Sequence, residues 1–334
     1  MLERVLVAID GSPTAEEALA FAIGVSGCYG SELIVCTAID RAAAIAAASA
    51  PDGVFPSTEL VLEEYENAAT SLLTGAASRA AAAGVRASTM LLDGRPGGAV
   101  VACAKEREAR AIVIGTRGKR GLEHMILGST AEGVLRMSDV PVFVVRGAPP
   151  EPRRAEASIF SSVLIAVDDS DASSAAQSLA LDLAATAKSR LVFCHVVETN
   201  DLLGTTETFG YDPRPYFEEM HRHAATLTAA CTQAAKKRGV DADTVVVEGT
   251  AASELFEAAV ARKADLIAVG THGRRGFRRL LLGSVAEDLV RRSNVPVVVV
   301  RAIPSARDRR HITGKRSHCA AGPSSELYVK RPRN

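Results

Sequence analysis

The sequence has no G-x4-G-K-[ST] element and no G-x-G-x-x-G loop, so the common phosphate-loop ATPase and dinucleotide-binding readings lose their support. It also lacks a G-x-S-x-G elbow, which counts against a nucleophilic hydrolase. Charge of one sign is missing too: 39 Lys+Arg stand against 39 Asp+Glu, so no net field draws the molecule to polyanions, and nucleic acid is not expected as a partner. No apolar run reaches membrane-spanning length and no charged-then-apolar leader opens the chain, which gives the expectation of a cytoplasmic protein that does not contact membrane. The six cysteines, Cys28, Cys36, Cys103, Cys194, Cys231 and Cys319, show no C-x2-C pairing and are expected to be buried, reduced thiols.

What is present comes twice. GTRGKRGLEHMILGST opens at Gly115 and GTHGRRGFRRLLLGSV at Gly270, each reading G-x2-G-x9-G-S between an apolar run and a helical pattern. ERVLVAIDGSPTAEEALAFA near the start is echoed by SSVLIAVDDSDASSAAQSLALDLA from Ser161. Asp10 and Asp168 are offset by 158 positions, whereas Gly115 and Gly270, Gly128 and Gly283, and Pro141 and Pro296 are each offset by 155, so the copies differ in length only between these landmarks. A chain of 334 residues accommodates two domains of about 150 residues, each large enough to bury a core.

Within each copy, short Val/Ile/Leu runs alternate with Ala-rich stretches of helical length, the pattern of βαβ units around a parallel sheet. Strands are expected at Val5 to Ile9, Leu33 to Ala38, Arg86 to Leu92, Ala111 to Ile114 and Val142 to Val145. Their counterparts are Val163 to Val167, Leu191 to Val197, Thr244 to Val247, Leu266 to Val269 and Val297 to Val300. Apolar strands imply cover on both faces, hence a doubly wound α/β fold, in which ligands sit beyond the carboxyl ends of the strands at the switch in strand order. The expected division is a first domain over 1–147, a proline-bearing linker over 148–157, a second domain over 158–303, and a basic, disordered tail over 304–334. The stretches from Arg41 and from Asn200 follow the second strand of each copy and read as loops or irregular helices beside the site.

A strand, a glycine-bearing loop and a helix start together expose backbone N–H groups at the positive end of a helix, and the absence of Cβ atoms lets a ligand approach closely. In copy one this cradle is closed by Gly128, Ser129 and Thr130, in copy two by Gly283 and Ser284 followed by Val285. Ser129 and Ser284 are expected to cap their helices as well as touch an anion. Arg117, Lys119, Arg120, Arg274 and Arg275 put cations in the loops, where they either screen a polyphosphate or form a solvated face. His272 lies in the second loop, and His221 and His223, two apart on a helix, face different ways and do not suggest a shared metal. Asp10 and Asp168 end the first strands; a carboxylate there accepts from ribose hydroxyls or caps the following helix.

On these residues the chain resembles a tandem-domain universal stress protein of the nucleotide-binding branch. The likeness is carried by VLVAIDGS and VLIAVDDS, by IVIGTRGKRGLEHMILGS and IAVGTHGRRGFRRLLLGS, and by VPVFVVR and VPVVVVR. It implies two Rossmann-like domains of the adenine nucleotide alpha hydrolase type, each a five-stranded parallel sheet of order 3-2-1-4-5 with helices on both faces. It implies ATP as the ligand, with Mg²⁺ or Mn²⁺ as an accompanying cation, and leaves cyclic AMP open. Adenine would lie against backbone at Ala38 and Val196, with Asp10 and Asp168 beside adenine and ribose and Gly115 and Gly270 near the ribose. Gly118, Gly128, Ser129, Gly273, Gly283 and Ser284 would surround the phosphates. The fifth strands would pair edge to edge within the chain, a homodimer and an unidentified protein partner remaining open.

The function expected is ATP binding in a stress-response regulatory role. Slow metal-dependent hydrolysis is the enzymatic alternative, although no residue offers itself to orient water against the terminal phosphate. A nucleotide-independent scaffold is the third reading. Because Asp169 replaces Gly11 and Val285 replaces Thr130, the two copies are expected to differ in affinity.

Overall fold

The computed structural model describes residues 2–48, 58–116, 127–146, 159–198, 214–271 and 282–302. The first half runs β1 (Arg4–Ala8), α1 (Pro13–Tyr29), β2 (Glu32–Ile39), α2 (Arg41–Ala48), α3 (Thr58–Ala82), β3 (Ala87–Asp93), α4 (Pro96–Glu106), β4 (Ala111–Gly115), α5 (Ser129–Met137) and β5 (Val142–Val145). The second runs β6 (Ser162–Ala166), α6 (Asp171–Ala187), β7 (Arg190–Val197), α7 (Arg214–Lys237), β8 (Ala242–Glu248), α8 (Ala251–Ala261), β9 (Leu266–Gly270), α9 (Ser284–Arg292) and β10 (Val297–Val300). Each of the ten expected strands forms, displaced by no more than a few residues at its ends. The Ala-rich stretch from Arg41, for which loop and helix were both open, begins as a helix; the stretch from Asn200, the linker over 148–157 and the tail over 304–334 lie outside the described residues.

The strands form one sheet of order β3-β2-β1-β4-β5-β10-β9-β6-β7-β8. Within each half the neighbours are parallel and follow the expected 3-2-1-4-5 order. The halves meet where β5 and β10 pair antiparallel, Val144 opposite Val297, Phe143 opposite Val298 and Val142 opposite Val299, so the whole sheet is mixed. This joint removes two open edges that would otherwise template association.

The helices divide by face. One apolar layer is built by α1, α3, α6 and α7 and contains Leu19, Val25, Leu183 and Cys231; the other is built by α4, α5, α8 and α9 and contains Val100, Val134, Leu255 and Leu289. Each layer runs through both halves. On the first, the Phe21 ring lies 5.6 Å from Phe143 and 5.8 Å from Phe160, tilted by 48° in both pairs, and the Tyr29 hydroxyl donates to the Leu183 carbonyl at 3.0 Å. Burial, with Cys28 adding to it, pushes the Tyr29 phenol up, so that donor stays protonated at any physiological pH.

The inner strands are buried almost throughout, as their apolar runs require. The outermost strands differ from the expectation of cover on both faces: β3 and β8 are half-exposed and carry Ser88, Thr89, Asp243 and Thr244. They are the two free edges of the sheet, with a neighbour on one side only, which explains the polar positions.

Of the cysteines, all but Cys319, which lies outside the described residues, are free thiols, and Cys36, Cys103, Cys194 and Cys231 are buried. Burial raises each of these four: Cys103 and Cys231 to about 11, Cys194 to about 12, and Cys36 well above its ordinary value. Thiolate is the reactive form, so these four remain thiols and unreactive at pH 8. Native protein treated with iodoacetamide at that pH should yield tryptic peptides unmodified at all four, and full modification only after denaturation; rapid native labelling of Cys194 would contradict the packing.

Candidate functional site

The order of each half reverses between β1 and β4, and between β6 and β9, and there the helices leave the sheet on opposite faces. The two helix starts that flank each reversal are made differently. α1 has Ser12 at its N-cap, the hydroxyl accepting from Ala15 N–H at 3.3 Å, with Pro13 at the first helical position. α6 repeats this with Ser170, which accepts from Ser173 N–H at 3.1 Å.

The helices after the glycine loops have no such cap. Gly128 and Gly283 are the N-caps of α5 and α9, with φ,ψ of −65°,146° and −66°,150°, and neither helix start has a side-chain capping bond. Ser129 and Ser284 are the first helical residues, which corrects the expectation that they cap: the residue before them adopts the extended cap conformation, and it carries no side chain. Thr130 follows in the first turn of α5. A serine at the cap would cover a first-turn amide with its own oxygen, whereas glycine offers those of Ser129, Thr130 and Ala131 no side chain of its own at the positive end of the helix.

Each loop is clasped at its ends. Gly128 N–H donates to the Thr116 carbonyl at 2.8 Å and Gly283 N–H to the Thr271 carbonyl at 2.7 Å, while Thr116 and Thr271 N–H groups donate to Val145 and Val300. The cap glycine is thereby fixed to the end of the strand that launches the loop. Thr116 and Thr271 were not singled out from the sequence, although the repeated Gly-Thr pair was available as a signal. Gly118, Gly273, Arg117, Lys119, Arg120, His272, Arg274 and Arg275 lie outside the described residues.

Gly115 and Gly270 have a packing reason to be glycine. A Cβ on Gly115 would stand 2.7 Å from the Thr14 carbonyl oxygen, and one on Gly270 would stand 2.8 Å from Ala172 and from Ser173 N. The last residue of β4 therefore touches the first turn of α1, and β9 does the same with α6. At such distances a larger residue would force the first turn of the facing helix to shift, with or without a ligand.

Asp10 and Asp168 lie just beyond β1 and β6. The Asp10 carboxylate accepts from Ser12 N–H at 3.0 Å; Asp168 accepts from Ser170 N–H at 2.9 Å and from its hydroxyl at 2.5 Å. They therefore fix the turn that leads to the helix, and the helix cap, one of the two roles expected of them, belongs to the serine two residues on. In copy two the added Asp169 carboxylate meets His223 Nε2 of α7 at 2.8 Å, while His221 meets Glu248 at 2.8 Å, so the two histidines engage different carboxylates.

Ala38 and Val196 sit near the ends of β2 and β7. The Cys36 carbonyl accepts from Ile9 N–H at 2.9 Å, and the Cys194 carbonyl from Val167 N–H at 2.9 Å. Backbone groups alternate sides along a strand, so two residues later Ala38 and Val196 turn theirs the same way, where β1 and β6 have already ended at Ala8 and Ala166. Copy two places a buried histidine next to this position: His195 Nδ1 donates to the Val167 carbonyl at 2.7 Å, whereas copy one has Thr37.

The expected residues that are described thus gather at the carboxyl ends of the central strands of each half. A groove of about 690 Å³ between α7 and the edge strand β8, lined by Thr228, Thr232, Thr244 and Val246, contains none of them. Among the described residues no helix is long and apolar enough to cross a membrane, and no group of three His, Cys, Asp or Glu could hold a metal ion.

A family model described as the Universal stress protein family matches residues 1–146 and again 160–301. A universal stress protein of Mycolicibacterium smegmatis is 32% identical over 196 residues, 58% of this chain and 63% of that protein, so the chain spans less than two thirds of that relative's length. A crystal structure of a universal stress protein from Archaeoglobus fulgidus is 20% identical, covers 91% of this chain and 100% of its own, and has a TM-score of 0.64, which shows the shared fold. A universal stress protein crystallised in complex with cAMP is 27% identical, covers 43% of this chain and 97% of its own, with a TM-score of 0.34.

Proposed function

Since the chain belongs to the universal stress protein family, we propose that each half binds ATP and that occupancy serves a regulatory role in the stress response, without turnover. The observation that carries this reading is the pair of glycine N-caps, Gly128 and Gly283, each locked to the end of its strand and neither supplying a side-chain cap to its helix start. Uncovered amides at the positive end of a helix are what a phosphate group requires.

In this reading the backbone at Ala38 and Val196 faces adenine, and the carboxylates of Asp10 and Asp168 accept from ribose hydroxyls. Gly115 and Gly270 border the ribose, their small size already demanded by helix packing. Gly118, Gly128, Ser129 and Thr130 hold the phosphates in copy one, with Gly273, Gly283 and Ser284 in copy two. A divalent cation would accompany the nucleotide's phosphates, and no step is assigned to it.

Mass spectrometry of small molecules released from natively purified protein tests the ligand. ATP is the expected species. Cyclic AMP in its place would keep the site and change its occupant, and protein that neither retains nor takes up any adenine nucleotide would end the reading in favour of a scaffold.

A further inference from the structure

The helix that carries the cradle of copy one is held at its other end by copy two. Arg301 follows β10, and its guanidinium donates to the Leu135 carbonyl at 3.3 Å and to the Arg136 carbonyl at 2.7 Å. Both carbonyls lie in the last turn of α5, where helix geometry leaves oxygens without an intrahelical partner. The Val134 carbonyl is taken by Ser138 N–H at 2.9 Å, so Arg301 meets the next two in line. Arg301 is half-buried, its Nε enclosed and without a hydrogen bond among the described residues while the end of its guanidinium reaches the α5 carbonyls at the surface.

α5 has nine residues, about 13 Å from end to end, and a helix that short moves as one body. Its first turn begins at Gly128, clasped to Thr116, and its last turn is gripped from across the β5–β10 joint. A cation at the carboxyl end of a helix opposes the negative pole there, and the same aligned peptides set the pole that faces a phosphate at the other end.

We propose that Arg301 is a positioning residue that makes the ATP affinity of copy one depend on copy two, by fixing the far end of the helix whose near end receives the phosphates. The proposal rests on the nucleotide reading of the cradle. It assigns the antiparallel joint a regulatory use beyond closing two sheet edges: a shift of β10 against β5 displaces Arg301 and, through α5, the amides of copy one.

The test is calorimetric titration of ATP into full-length chain carrying Gly283→Val, which leaves copy one as the only cradle. Adding Arg301→Met should weaken binding about threefold to tenfold, and Arg301→Lys, which keeps a cation within reach of the carbonyls, should recover part of the loss. Tyr29→Phe, which removes a joint contact on the opposite face, should leave affinity unchanged. In a Gly128→Val chain, where copy two alone binds, Arg301→Met should have no effect. Circular dichroism melts of each variant establish that the folded fraction is full at the titration temperature. Binding by the Gly283→Val chain that Arg301→Met does not alter, or losses of equal size in the two copies, would overturn the coupling alone. No binding by the Gly283→Val chain at all would overturn the cradle reading and this inference with it.

Discussion

Replacing Phe143 by alanine should convert one unfolding transition into two. Phe143 has no exposed surface, stands opposite Val298 in the middle of the three residue pairs that join β5 to β10, and packs on Phe21 at 5.6 Å. Truncating a buried phenylalanine costs about 3–5 kcal/mol through lost transfer energy and the cavity left behind. Here the loss falls on the only strand pairing the halves share among the described residues, so it removes coupling as well as stability. Phe193→Ala, equally buried but in the interior of the second half, should cost a similar amount without splitting the transition in the same way. Differential scanning calorimetry separates the outcomes. A single transition in Phe143→Ala, merely shifted down, would show that the remaining contacts between the halves, Phe21 with Phe160, Tyr29 with Leu183 and Arg301 with α5, suffice to couple them.

Gly115→Ala and Gly270→Ala should each destabilise the fold by about 1–3 kcal/mol, although alanine ordinarily favours ordered structure over glycine. The added methyl would press on Thr14 in one case and on Ala172 and Ser173 in the other, at 2.7–2.9 Å from atoms that include backbone. Backbone cannot rotate away as a side chain tip can, so the first turn of α1 or α6 must move. That turn contains the serine cap and adjoins Asp10 or Asp168, so a lost methyl's width of space disturbs the strand end too. Gly75→Ala, inside α3 with nothing within 4 Å of the new methyl, should change sign and stabilise by about 0.5–1 kcal/mol. Urea titration of the three variants compares them directly, and Gly115→Ala as stable as its parent would refute the close approach.

The contrast between these glycines shows what the sequence could carry. The Val/Ile/Leu runs placed ten strands and the repeat placed two domains, because burial on both faces leaves few alternatives for an apolar run of five between helical patterns. The apolar runs imply cover on both faces for the third and eighth strands as for the rest; that these two are half-exposed edges follows from strand order, which the family likeness implies and the runs do not. Close approach of Gly115 to Thr14 joins residues a hundred positions apart and has no local signature, so its glycine read as ligand-facing when packing already required it. Ser129 and Ser284 misled for a different reason. Serine is a favoured cap residue, and in a Gly-Ser pair composition points to the serine, while the backbone conformation gives the position to the glycine. The clasp from Gly128 to Thr116 and the grip of Arg301 on α5 are tertiary hydrogen bonds between distant segments, and neither follows from periodicity.

The central claim is that two glycine-capped helix starts each receive one nucleotide, and isothermal titration of ATP into the full chain tests it most directly. Two sites of unequal affinity are expected, the weaker being copy two, where Asp169 and Val285 stand in place of Gly11 and Thr130. Gly128→Val and Gly283→Val should each remove one of them, and the double variant should bind none while keeping its fold by circular dichroism. A folded double variant that binds ATP as the parent does would contradict the account.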